Sequence, residues 1–139
     1  MSHEWNPPPF GAPCWLNVPA TDIDRAKSFY TKVFNWKMQA APNASEKDIT
    51  IFTFPASEKS PSPFCGSIER VDTIMQTKDG NALKLYLMVE DDAKTVEDII
   101  ANGGAKLSGP TPEGSHGFIT HCSDSEGNGI GIYASKKSD

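Results

Sequence analysis

One pattern occurs twice in this chain and limits what it can fold into. In residues 14–36, Cys14, Leu16 and Val18 alternate with Trp15 and Asn17, the period of a strand with two unlike faces. Pro19 is expected to end that strand, because it has no N–H for a ladder. Thr21 followed by Asp24 has the spacing of a capping box, and Asp22 adds negative charge at a helix start. Ile23, Ala26, Phe29, Tyr30 and Val33 then recur at helical spacing. Leu83, Leu85, Leu87 and Val89 repeat the alternation, against Lys84, Tyr86 and Met88. Glu90, Asp91 and Asp92 repeat the acidic start, and Ala93, Val96, Ile99 and Ile100 form the second apolar stripe. Asn102-Gly103-Gly104 is a helix stop. Val18 laid on Val89 sets an offset of 71 residues (89 − 18), so the chain reads as two copies of one module.

The remaining strands follow in the same order within each copy. In the first, β-branched and aromatic runs predict strands over 36–39, 49–54 and 64–71, with a Ser/Pro loop over 56–63. A linker over 77–81 separates the copies. The second copy predicts a strand over 83–89 and a helix over 92–102, then strands over 105–107, 118–123 and 130–134. A Gly/Pro loop covers 108–114, and a turn of strong breakers covers 124–129. The result is an α+β chain with β-α-β-β-β twice, unlike the strict alternation of a doubly wound fold. Residues 1–12 are polar and Pro-rich and read as an arm. One domain is expected over 13–135, with modules 13–75 and 82–135.

Composition narrows the partners. Eighteen acidic and thirteen basic side chains leave a net charge of −5 with no basic block, which argues against nucleic acid and anionic membranes. No apolar run approaches the ~20 residues of a spanning helix, and the N-terminus has no apolar signal core. Cys14, Cys65 and Cys122 are odd in number with no C-x-x-C spacing, so reduced thiols and a cytoplasmic location are expected.

The quoted stretches, together with Val33-Phe34-Asn35-Trp36 and the run from Asp124 to Tyr133, resemble the vicinal oxygen chelate superfamily. That superfamily includes glyoxalase I, bleomycin-resistance proteins and extradiol dioxygenases. The resemblance implies two curled sheets around a cup, with modules often paired across subunits, hence a homodimer. For metal-dependent members it implies ligands at Pro13, Lys84 and Gly131, with Glu69 as the fourth-strand position. Proline and glycine bring no side-chain donor, and an ammonium repels a cation, so no metal and no other cofactor is expected.

Strand parity supplies a cup lining of Trp15, Asn17, Glu69, Lys84, Tyr86, Met88 and Tyr133. Such a set suits a small organic ligand. Binding without metal is the first expectation. A metal-free isomerase or lyase is the second, with Glu69 or His121 as acid/base and Lys84 steadying an oxyanion. A metal-dependent glyoxalase-like lyase is the third. Lys84 and Glu69 could instead form an ion pair that closes the cup. His116 and His121, five apart on an extended segment, face opposite ways and make a poor metal pair, and His3 belongs to the arm. Cys14 is expected to be buried on the helix side. Cys122 and His121, adjacent on a strand, face apart and cannot act as a nucleophile pair.

Overall fold

In a computed structural model that describes residues 7–59, 61, 64–75 and 82–135, the two modules have the same architecture. The first contains β1 (Trp15–Ala20), α1 (Ile23–Phe34), β2 (Lys37–Ala40), β3 (Ile49–Thr53) and β4 (Cys65–Arg70). The second contains β5 (Leu85–Val89), α2 (Asp92–Ala101), β6 (Ala105–Glu113), β7 (Gly117–Ser123) and β8 (Gly129–Ser135). The sheets run β1-β4-β3-β2 and β5-β8-β7-β6. In each, the first and last strands of the module are parallel neighbours and the other pairs are antiparallel. The 71-residue offset is therefore a repeat of topology as well as of pattern. Neither helix is long or apolar enough to cross a membrane.

The register sorts side chains onto two faces of each sheet. Leu16, Val18, Phe52 and Ile68 share one face of the first sheet, and Leu85, Leu87, Ile130, Ile132 and Cys122 share one face of the second. These faces meet the helices: Ile23, Ala26, Phe29 and Tyr30 from α1 and Ile99 from α2 belong to the same buried cluster. An aromatic stack runs through it, with Tyr30 on Trp36 at 4.2 Å and Trp36 on Phe52 at 4.4 Å between ring centroids. Burial of such faces stabilises by roughly 25 cal/mol per Å² of apolar area.

Several local expectations need correction. The N-cap of α1 is Asp22, whose side chain accepts the Arg25 N–H at 3.1 Å, and not Thr21. The Thr21 hydroxyl is drawn instead to Glu126 from the other module, at 3.2 Å. β1 runs through Pro19 to Ala20, because it is the edge of its sheet and an edge tolerates a missing N–H. Cys14 lies before β1 and is exposed, so strand parity does not reach it; Leu83, before β5, is fully exposed for the same reason. Of the Gly/Pro loop expected over 108–114, all but Gly114 is part of β6, an edge strand. Its register against β7 shifts between Lys106 and Ser108 and again between Ser108 and Thr111. Bulges at an edge absorb residues that a central strand would reject. On α2, Ile99 is buried but Ile100 is 56% exposed and Ala93 is exposed, so the stripe is narrower than its pattern. His3, the first half of the arm and the linker 77–81 lie outside the described residues.

The modules are joined through the turn between β7 and β8. Glu126 Oε1 accepts the backbone N–H groups of Thr21 and Asp22, both at 3.0 Å, and Oε2 accepts Arg25 Nε at 2.6 Å. Asp124, 1% exposed, accepts the Tyr30 hydroxyl at 2.6 Å and the Asn128 amide at 2.9 Å, and Asn128 also donates to the Pro19 carbonyl. Burial raises the Asp124 pKa from its ordinary value, with the Tyr30 and Asn128 hydrogen bonds pulling against it. Burial also acts upward on Glu126. There the bonds from Arg25, the Asp22 N–H and Ser125 win, and its pKa is lowered. The Tyr30 hydroxyl is pushed well up by burial and by the Asp124 charge.

Candidate functional site

The opposite face of each sheet carries the residues expected to line the cup. On the first sheet the register sets Trp15 beside Cys65, Asn17 beside Ser67 and Pro19 beside Glu69. The Trp15 indole N–H donates to the Ser67 hydroxyl at 3.1 Å, and Ser67 is buried. Asn17 donates its amide N–H to Glu69, two residues along the neighbouring strand from its register partner Ser67. Trp15 remains 49% exposed, so its ring presents a free apolar surface.

On the second sheet the register sets Tyr86 beside Gly131 and His121, and Met88 beside Tyr133 and Ile119. The Tyr86 ring meets the His121 ring edge-on at 6.0 Å, and His121 Nδ1 is buried with no hydrogen-bond partner. The Tyr133 hydroxyl donates to Glu113 at 3.3 Å; partial desolvation and the Glu113 charge raise its pKa. Tyr86 and Met88 are 48% and 69% exposed. By register Trp15, Asn17 and Glu69 share one face of the first sheet, and Tyr86, Met88 and Tyr133 share one face of the second, joined there by His121; Lys84, from the same list, lies outside the strand. Lys84 lies just before β5 and is half-buried. Among the described residues the ion pairs are Arg25–Glu126 and Arg70–Asp72, so Lys84 and Glu69 do not close the cup as a pair. His116 lies in the β6–β7 turn, away from the strand that carries His121. Cys122 is fully buried on the helix side, and burial pushes its thiol pKa up, so it is no nucleophile for His121.

The metal positions of the resemblance can be tested on this geometry. A Cβ built on Gly131 would lie 2.3 and 2.4 Å from two carbons of the Tyr86 ring. The space where a carboxylate would leave β8 is therefore filled by an aromatic ring from β5. Pro13 and Lys84 add no donor, and among the described residues no three His, Cys, Asp or Glu side chains are grouped to hold a metal. The residues present do not fit a metal centre of that kind.

Sequence reasoning missed an apolar recess near these faces. It has a volume of about 400 Å³ and lies where the edge strand β5 passes the end of α1 and of β3. Phe34, Trp36, Phe54 and Phe64 form one wall, and Leu85 to Met88 the other. Phe54 meets Trp36 at 5.0 Å and Phe64 at 5.2 Å, both edge-on. The density of phenylalanine in residues 52–64 was the available signal, but strand parity alone cannot show that these rings face β5.

Comparison with known proteins agrees with this architecture. Residues 14–132 match the family model described as the Glyoxalase/Bleomycin resistance protein/Dioxygenase superfamily. A glyoxylase-like domain-containing protein of Didymella fabae is 34% identical over 101 residues, 73% of this chain and 75% of its own. The CFP32 protein of Mycobacterium tuberculosis is 24% identical over 91% of this chain but 47% of its own length, so this chain spans about half of that relative. Among solved structures, the fosfomycin resistance protein FosX of Listeria monocytogenes superposes with a TM-score of 0.67 at 12% identity, over 91% of this chain and 92% of that one. A glyoxylase/bleomycin resistance protein/dioxygenase domain from Frankia gives 0.63 at 17% identity, over 93% and 94%. Repeat, topology and family model converge: the chain belongs to the glyoxalase/bleomycin resistance protein/dioxygenase superfamily.

Proposed function

We propose that this protein binds a small, mainly aromatic organic molecule without metal, at the recess beside Tyr86 and Met88 and on the open faces next to it. The observation that carries this reading is the recess itself. Its ~400 Å³ falls within the 300–1,000 Å³ of small-molecule sites, and its walls are aromatic and aliphatic. Tyr86 contributes to both the recess and the open face, so a planar ligand seated there would reach toward His121. Trp15, Asn17, Glu69 and Tyr133 supply the polar and stacking contacts of the reading, and Lys84 its one cation. A homodimer brings the two groups of open-face residues together across subunits in this proposal, and a cytoplasmic location suits the three free thiols. The unit that binds is residues 13–135.

Turnover is a second reading, favoured by one observation. The buried, unpartnered Nδ1 of His121 beside the Tyr86 ring is the kind of group that a reacting ligand would engage.

The test is a thermal-shift screen of planar aromatic compounds in the presence of EDTA. A ligand at 100 times its Kd should add about 2.7 kcal/mol of stability. Tyr86→Ala should abolish the shift for the best compound, and metal analysis should find far less than one equivalent of Zn, Mn, Ni or Fe. A shift seen only with added metal, or indifferent to Tyr86→Ala, would overturn the proposal. Consumption of the compound on incubation would establish the second reading instead.

A further inference from the structure

A separate cavity of about 240 Å³ lies on the other side of the second sheet, between the first turn of α2 and β6. Its lining is Asp92, Ala93, Val96, Lys106, Pro110 and Thr120. The cavity has a structural cause. β6 shifts register against β7 at two places, irregularities that bend a strand, while α2 is ten residues long and buries only Ile99, near its far end. The first turn of the helix and the bent strand therefore stand apart, with β7 beneath them.

Three polar groups around this space are set in an unusual way. Thr120 is 1% exposed on the helix-facing side of β7, and its hydroxyl has no hydrogen-bond partner. A buried hydroxyl left unsatisfied costs roughly 1–3 kcal/mol, which a bound polar group would offset. Asp92 and Lys106 line the same cavity with opposite charges, yet no ion pair joins them among the described residues. Two of the backbone N–H groups that open α2 are already taken by acids: Asp92 accepts that of Ala93 at 2.8 Å and Asp91 that of Lys94 at 3.1 Å. An anion therefore gains little from the helix start, and the charge that Asp92 adds there is negative. Ala93, Val96 and Pro110 supply an aliphatic wall.

We propose that this cavity is a binding site for a small zwitterion, an α-amino acid with a short aliphatic side chain. Its ammonium meets the Asp92 carboxylate, its carboxylate meets the Lys106 ammonium and the Thr120 hydroxyl, and its side chain lies on Val96 and Pro110. Two separated opposite charges recognise a molecule that carries both, and exclude one that carries either alone. The volume, below the ~300 Å³ at which drug-sized sites begin, suits a molecule of the size of L-valine. The site is independent of the aromatic recess, which shares none of these lining residues.

Isothermal titration of the full chain with L-valine tests the proposal, with isobutylamine and isobutyrate as probes of the separate charges. L-valine should bind saturably, and each single-charge analogue should bind at least tenfold more weakly. Asp92→Asn and Lys106→Met should each weaken L-valine at least tenfold while leaving the unfolding midpoint of the ligand-free protein nearly unchanged. Thr120→Val should weaken L-valine and leave the ligand-free protein as stable or more so, since it removes an unsatisfied hydroxyl without changing shape. Absence of saturable heat at millimolar L-valine would overturn the proposal. So would equal binding of isobutyrate, or binding indifferent to both charge substitutions.

Discussion

Replacing Glu126 by alanine should be among the most damaging single changes in this protein, although the residue lies in a turn. Its side chain is fully buried and bridges 101 to 105 positions of sequence. Two of its bonds are to backbone N–H groups, those of Thr21 and Asp22, at the start of α1. Alanine leaves both donors without their acceptor, at about 1–3 kcal/mol each. The Arg25 side chain is 49% exposed and can turn to water, so its share is small, as for surface ion pairs of about 0–1 kcal/mol. The expected loss is about 3 kcal/mol in all, which for a chain of this length lowers Tm by about 10 °C. Urea unfolding with an unchanged m-value would measure it. Glu126→Gln keeps one acceptor oxygen for the two N–H groups and should lose about half as much. A double-mutant cycle with Arg25→Ala should give a coupling of less than about 1 kcal/mol. A loss below about 1 kcal/mol for Glu126→Ala would refute the reasoning, as would a coupling to Arg25 that accounts for the whole effect.

Acid titration of stability should separate the two carboxylates of the same turn. Glu126, with its pKa lowered in the folded state, adds stability above the ordinary glutamate range that is lost as pH falls through its folded value; Glu126→Gln should flatten that loss. Asp124, with its pKa raised, acts with the opposite sign and removes stability as pH rises through its folded value. Asp124→Asn should therefore make stability climb more steeply with pH than in the parent protein. Tyr30→Phe deletes the buried bond to Asp124 and should cost about 1.5–3 kcal/mol in urea unfolding, while a change under ~0.5 kcal/mol would show the bond to be dispensable. Gly131→Ala should force the Tyr86 ring off β8, shifting the ring resonances of Tyr86 and His121 in NMR spectra; because Tyr86 is half exposed, the unfolding midpoint should fall by only a few °C, about 1 kcal/mol.

The sequence by itself determined the elements whose cause is local. Alternation over 15–18 and 85–89, the acidic starts of both helices, and the stop at Asn102-Gly103-Gly104 all act within a few residues, and so did the repeat that ordered them; that Asp22 rather than Thr21 caps α1, and that β1 continues through Pro19, did not follow from them. The same period assigned Trp15, Asn17, Glu69, Tyr86, Met88 and Tyr133 to the faces they occupy, because side chains on a strand can only alternate. Tertiary structure decided what depends on distant partners. Asp124 and Glu126 read as turn residues until the start of α1 and Tyr30 close over them. Residues 108–113 read as a loop because glycine and proline disfavour strands, and became strand only because β7 offered an edge with room for bulges. Gly131 is legible as a missing donor, but that Tyr86 fills its space is a fact of strand pairing. The aromatic recess and the cavity under α2 are spaces between elements, and a space has no residue of its own in the sequence.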